Sequence, residues 1–189
     1  QPVKADNILI VTMDGMRWQE VFAGLVSDFL TKEAGGVADA APSQQRFGGS
    51  TPEQRREKLM PFFWTVVAKQ GQIFGDPSQE SVARVTNGLR FSYPGYNELL
   101  SGVADPRIDS NDKVLNPNVT VLEWLNNQPA FSGKVAAYGS WELLPYILNE
   151  PRSRIPSNGD GPPIRSPSGE RQLAINELAA DLPPYWGST

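Results

Sequence analysis

The sequence contains no cysteine and no histidine. Without cysteine there are no disulfides and no thiolate metal sites. Without histidine the chain lacks the usual general base near neutral pH and the commonest metal ligand. Chemistry carried by these residues therefore falls to carboxylates, hydroxyls, amides and guanidiniums. Long apolar runs are missing too: the longest clean one is Ile8 to Val11, far short of the roughly 20 residues that cross a bilayer, so no membrane span is expected. Positive charge is not in excess, with 17 Lys and Arg against 21 Asp and Glu, a net charge of −4. Binding to a nucleic-acid polymer draws on clustered Lys and Arg and is not expected.

What is present fits a globular protein, with 39% hydrophobic and 20% charged residues in a chain of 189. The 17 Gly and 17 Pro point to long irregular connections. The polar start, Gln1-Pro-Val-Lys-Ala-Asp6, reads as what removal of a signal peptide leaves, so the expected location is secreted or periplasmic.

Asn7 to Met13 is a compact aliphatic run closed by Asp14-Gly15, which predicts a buried strand and a tight turn. Its continuous pattern favours a sheet covered on both faces. A short helix is expected between Met16 and Gly24, a surface excursion over 27–56, and a helix over Leu59–Gln70. Residues 73–76, 81–86 and 134–138 read as further strands. Ser92 to Gly102 reads as a helix opening after a strand, with Gly102 as its stop. Thr120 is placed to cap a helix, and Pro145 interrupts another between Trp141 and Asn149. Residues 151–168 form a Pro/Gly-rich loop. Glu170 to Asp181 is an amphipathic helix whose Leu173, Ile175 and Leu178 are expected in the core. The alternation of strands and helices predicts an α/β layered sandwich, a central mostly parallel sheet flanked by helices. Such sheets place ligands at the C-terminal ends of their strands, where Asp14 and the loop after Tyr138 would fall.

Asp14, directly after a strand, is a candidate metal ligand; taken alone, Asp-Gly is turn chemistry. Ser92, at the start of a helix, is a candidate nucleophile, because the helix dipole and free N–H groups favour the oxyanions that form there; taken alone, it caps the helix. Asn97 is a candidate donor to a phosphoryl oxygen or a polar helix residue. Tyr93 and Tyr96 could stack on a leaving group or pack in the core, and Trp141 could line the pocket or pack. Arg17 and Arg90 are candidate phosphate contacts. Asn118-Val-Thr120 matches a glycosylation acceptor, and Asp105, Asp109 and Asp112 form an acidic loop.

Asn7-Ile-Leu-Ile-Val-Thr-Met-Asp-Gly-Met-Arg-Trp-Gln-Glu-Val-Phe-Ala-Gly24 resembles the opening strand and metal-ligand turn of the alkaline phosphatase superfamily, in particular secreted bacterial members related to nucleotide pyrophosphatase/phosphodiesterases. Phe91-Ser-Tyr-Pro-Gly-Tyr-Asn-Glu-Leu-Leu-Ser-Gly102 resembles their nucleophile segment. Further likeness runs through 116–125 and 140–150. The resemblance implies hydrolysis of phosphate mono- or diesters through a phosphoryl-Ser92 intermediate. It also implies two divalent metal ions, usually zinc, one of them held by Asp14 and Ser92, and a small phosphoester substrate. The family takes its other ligands, a set of Asp and His, from later strands, and this chain has no His. Residues 1–189 are therefore expected to be the N-terminal part of a single alkaline-phosphatase-like domain, incomplete at the C-terminus and inactive alone. The competing expectation is a non-catalytic structural or binding fragment that self-associates or pairs with the missing C-terminal segment.

Overall fold

The computed structural model of the chain describes residues 5–159 and 169–181. It falls into two compact units, Gln1–Arg84 and Val85–Thr189.

The first unit opens on residues 7–13, which form no regular element and pair with no strand among the described residues. Ile8, Leu9, Ile10 and Val11 are 79%, 86%, 54% and 73% exposed. The chain turns at Asp14-Gly15, where Gly15 has φ +73°, and enters α1 (Trp18–Ala23). After a 3₁₀ turn at Ser27–Phe29 come α2 (Lys32–Gly35), α3 (Ala41–Phe47) and α4 (Pro52–Leu59). Thr31 and Thr51 cap α2 and α4, accepting from the N–H groups of Ala34 and Gln54, and Pro52 opens the first turn of α4. A π-helical turn, Phe63–Val67, leads into α5 (Ala68–Gln70), and a 3₁₀ turn at Pro77–Gln79 follows.

A helix ends with carbonyls that have no partner of its own. In α1 three successive ones are taken from outside. Trp64 Nε1 donates to the Val21 carbonyl at 3.0 Å, Arg56 Nη1 to that of Phe22 at 3.3 Å, and Arg55 Nε to that of Ala23 at 3.3 Å. The Arg56 guanidinium also lies 3.8 Å from the ring centroid of buried Trp64, which Phe22 and Phe63 meet edge-on. The first unit is thus centred on one indole that joins α1 to α4.

In the second unit, α6 (Ser92–Ser101) is followed by α7 (Val121–Asn126), β1 (Ala137–Gly139), α8 (Leu144–Ile147), α9 (Glu150–Ser153), β2 (Ser157–Gly159) and α10 (Glu170–Asp181). β1 and β2 pair in parallel, Ala137 opposite Ser157 and Gly139 opposite Gly159, with α8 and α9 in the crossover. Tyr93, Leu100, Ile108, Leu143, Ile147, Leu148 and Ile155 form the apolar core. Beside it lies a net of amides. Asn116 Nδ2 donates to Asn97 Oδ1 and to the Ile147 carbonyl, while the Asn116 carbonyl accepts from Asn149 Nδ2 and Arg152 Nη1. Buried polar groups are tolerated when paired in this way.

The expected α/β sandwich is not found. The structure is mostly helical among the described residues, 44% helix, and its described strands are the two three-residue strands of one short parallel pair. A strand is stabilised by its ladder, and residues 7–13, 73–76 and 81–86 have no neighbouring strand among the described residues. Of the expected strand at 134–138, only its end enters β1. Leu173, expected in the core, is 48% exposed. The side chains of Ile175 and Leu178, and residues 160–168 of the expected loop, lie outside the described residues.

Candidate functional site

Asp14 belongs to the first unit and Ser92 to the second. Asp14 is exposed in its turn. The positive φ of Gly15, easy for a residue without Cβ, lets the chain reverse directly after the carboxylate.

Ser92 is the first residue of the ten-residue helix α6 and is half-buried. The N-cap position belongs to Phe91, which is extended (φ −110°, ψ 145°) and has no side-chain acceptor to offer. The acceptor comes from elsewhere: Asn111 Oδ1 takes the Tyr93 N–H at 3.0 Å. The N-cap position suggested for Ser92 is therefore occupied by Phe91, and the capping bond to the Tyr93 N–H is supplied by Asn111. The C-terminus of α6 is closed by Gly102 in the left-handed region, its N–H bonded to the Glu98 carbonyl at 2.8 Å.

Tyr93 is 2% exposed. Its hydroxyl donates to the Val114 carbonyl at 2.7 Å, with the Tyr146 carbonyl at 3.3 Å, and burial pushes its pKa up to about 12. The ring is a core element, covered on its faces. Asn97 is fully buried. Its Nδ2 donates to the Val103 carbonyl and its Oδ1 accepts from the side-chain amides of Asn116 and Asn118. Its amide is engaged with protein partners on both sides. Trp141 is half-buried, its ring centroid 6.2 Å from that of Tyr96, and both pack against the core.

Of the candidate phosphate contacts, Arg17 binds Glu20 through two of its nitrogens and lies over the Phe29 ring. Arg90 is exposed, two residues before Ser92. In the acidic loop, Asp105 accepts from Arg107 Nε and Nη2 and from Asn118 Nδ2. The Arg107 guanidinium, the Arg107 N–H and the Asn118 amide hold the Asp105 carboxyl well below the usual carboxylate range. Asn118 Nδ2, the atom a glycan would take, is thereby shared between Asp105 and Asn97.

Hollows among the described residues include one in each unit. A cleft of about 350 Å³ in the first unit is lined by Phe22, Arg56, Trp64, Asp76 and Ser81, among others. A shallow apolar groove of about 890 Å³ in the second is lined by residues that include Leu115, Tyr146, Arg154 and Ile155. Neither is lined by Asp14 or Ser92.

A closed zinc site takes four ligands, and a catalytic one takes three plus water. The described residues hold no group of three or more His, Cys, Asp or Glu that could bind a metal ion. Asp14 and Ser92 offer one carboxylate and one hydroxyl, so the described residues do not by themselves supply the ligands of two zinc ions. Among the described residues, no helix is long and apolar enough to cross a membrane.

Sequence reading missed three residues that shape this region: Asn111, Glu98 and Arg152. Asn-Asp-rich loops carry a general signal for side-chain-to-backbone bonds, which could have flagged Asn111. Nothing local marks Glu98, whose partners precede it by eleven and twelve residues. Comparison of the chain with protein-family models, curated proteins and solved structures returns no match.

Proposed function

We propose that the protein to which these residues belong is an exported hydrolase of phosphate mono- or diesters, with Ser92 as its nucleophile. The observation that carries this reading is the place of Ser92, at the first position of α6, with the following backbone held by Asn111 and by buried Tyr93 and Pro94. A helix N-terminus favours negative charge, and both the attacking oxygen and the phosphoryl group develop it. The resemblance of the 7–24 and 91–102 segments, in their order and spacing, to the alkaline phosphatase superfamily supplies the second support.

In the reaction, Ser92 Oγ forms a bond to phosphorus as the bond to the leaving alkoxide breaks, and the alkoxide takes a proton from water. A second water then attacks phosphorus in phosphoryl-Ser92, regenerating the serine and releasing phosphate or a phosphomonoester. With no histidine in the chain, a carboxylate, water or a group from outside these residues takes the serine proton. Asp14 is proposed as one ligand of a divalent metal pair, zinc, whose other ligands come from outside these residues. In the complete protein supplied with zinc, Ser92→Ala abolishes turnover and leaves the fold intact. Activity that persists in this variant overturns the assignment.

A second reading has its own observation in the exposed run Ile8–Val11. An exposed apolar run that pairs with no strand among the described residues offers a surface for pairing, and it favours a non-catalytic module that assembles with another chain or with itself. Size-exclusion chromatography with and without zinc separates the readings. A zinc-independent assembly without turnover supports the second.

A further inference from the structure

Helix α6 is tied to the chain that leads into it. Glu98, six residues after Ser92, receives four hydrogen bonds in its carboxylate. Oε1 accepts from the Thr86 N–H at 2.6 Å and from Thr86 Oγ1 at 2.8 Å. Oε2 accepts from the Asn87 N–H at 3.1 Å and from Asn87 Nδ2 at 2.8 Å. Each of two successive residues thus gives both its backbone and its side-chain donor to one carboxylate. Asn87 Oδ1 then accepts from the Leu89 N–H at 2.8 Å, and Gly88 at φ +71° completes the turn. Only Arg90 and Phe91 separate Leu89 from Ser92.

These bonds close residues 86–98 into a ring that contains Ser92. The first turn is where a helix frays most readily, because its N–H groups lack intrahelical partners. Asn111 secures the backbone just after Ser92, through Tyr93. Glu98 secures it just before. We propose that Glu98 is a positioning residue for Ser92: by gripping Thr86 and Asn87 it fixes the path of residues 88–91 and so the place of the Ser92 hydroxyl. Charge-assisted bonds of this kind are the strong ones. Burial alone would raise the Glu98 pKa, and the bonds from Thr86 and Asn87 outweigh it, leaving the carboxyl below its ordinary value. The inference rests on Ser92 being the nucleophile.

The test uses the complete protein with zinc, and 4-nitrophenyl phosphate and bis(4-nitrophenyl) phosphate as probes. Because misplacement of a reacting group by about 1 Å costs up to about 10²-fold, Glu98→Ala is expected to lower kcat at least about tenfold with KM nearly unchanged. Amides 86–93 exchange faster in that variant. Glu98→Gln keeps an oxygen for Thr86 but turns N–H groups toward the donors of Asn87, and it falls between wild type and Glu98→Ala. A kcat unchanged in Glu98→Ala, while the Thr86 and Asn87 amides exchange faster, overturns the inference and leaves the hydrolase reading standing. If Glu98→Ala does not fold, Thr86→Ala and Glu98→Gln decide, and an unchanged kcat in both overturns it. A wild-type protein that turns over neither probe overturns the hydrolase reading, and the inference falls with it.

Discussion

Arg152 meets Glu123 through two hydrogen bonds of 2.8 Å each, Nε to Oε1 and Nη2 to Oε2. Glu123 is buried, and the same guanidinium donates to the carbonyls of Asn116, Pro117 and Asn118. One side chain of α9 thus holds α7 and the loop before it.

From this follows the first prediction. Removing one partner of a buried pair leaves the other charge unpaired, at a cost of several kcal/mol. Arg152 is itself partly exposed, so Arg152→Ala is expected to cost about 2 kcal/mol. Arg152→Lys recovers little, because an ammonium cannot reproduce the planar fork. Denaturant unfolding of the three proteins checks both expectations.

Acid should weaken the second unit through Asp105. Its carboxyl stays ionised to lower pH in the folded protein than in the unfolded chain, held chiefly by the Arg107 guanidinium. The unfolded chain therefore takes up the proton first as pH falls. The stability this group contributes is full above the ordinary Asp value, about 4, and is lost as pH drops toward the folded value. Melting temperatures measured downward from pH 6 should decline below about pH 4, and Asp105→Asn should flatten that decline.

Gly24 allows the end of α1 to approach α4. A Cβ there would stand 2.2 Å from the Arg56 backbone nitrogen and 2.3 Å from the Arg55 carbonyl carbon, on a residue with φ +69°. Both the contact and the backbone conformation oppose a side chain. Gly24→Ala is expected to destabilise the first unit by about 2 kcal/mol or more, measured by thermal melting followed through Trp fluorescence.

The helices that were legible are those whose stops and caps are local; the expected helix over Leu59–Gln70 is instead a π-helical turn and the short α5, and α2, α3, α4 and α9 fall where connections were expected. Gly102 ends α6 in the left-handed region as its sequence position implied, Thr120 caps α7 by accepting the Glu123 N–H, and α10 spans Glu170–Asp181. The sheet was not legible in the same way. An aliphatic run such as Ile8–Val11 specifies an extended, buried strand only if neighbours supply a ladder and covering faces, and those are properties of the whole assembly. The site was legible in its residue types and less so in their surroundings. Tyr93 and Asn97 share α6 with Ser92, but their burial comes from Val114, Asn116 and Tyr146, which local pattern does not bring together.

The covalent role proposed for Ser92 is open to direct measurement. Its most direct test is acid quenching of the complete, zinc-supplied protein during turnover of a 4-nitrophenyl phosphoester, followed by peptide mapping. If Ser92 is the nucleophile, a phosphoryl group is found on the peptide spanning residues 91–102, located at Ser92 and absent from Ser92→Ala. Turnover with the phosphoryl group on another residue, or undiminished turnover by Ser92→Ala, contradicts it.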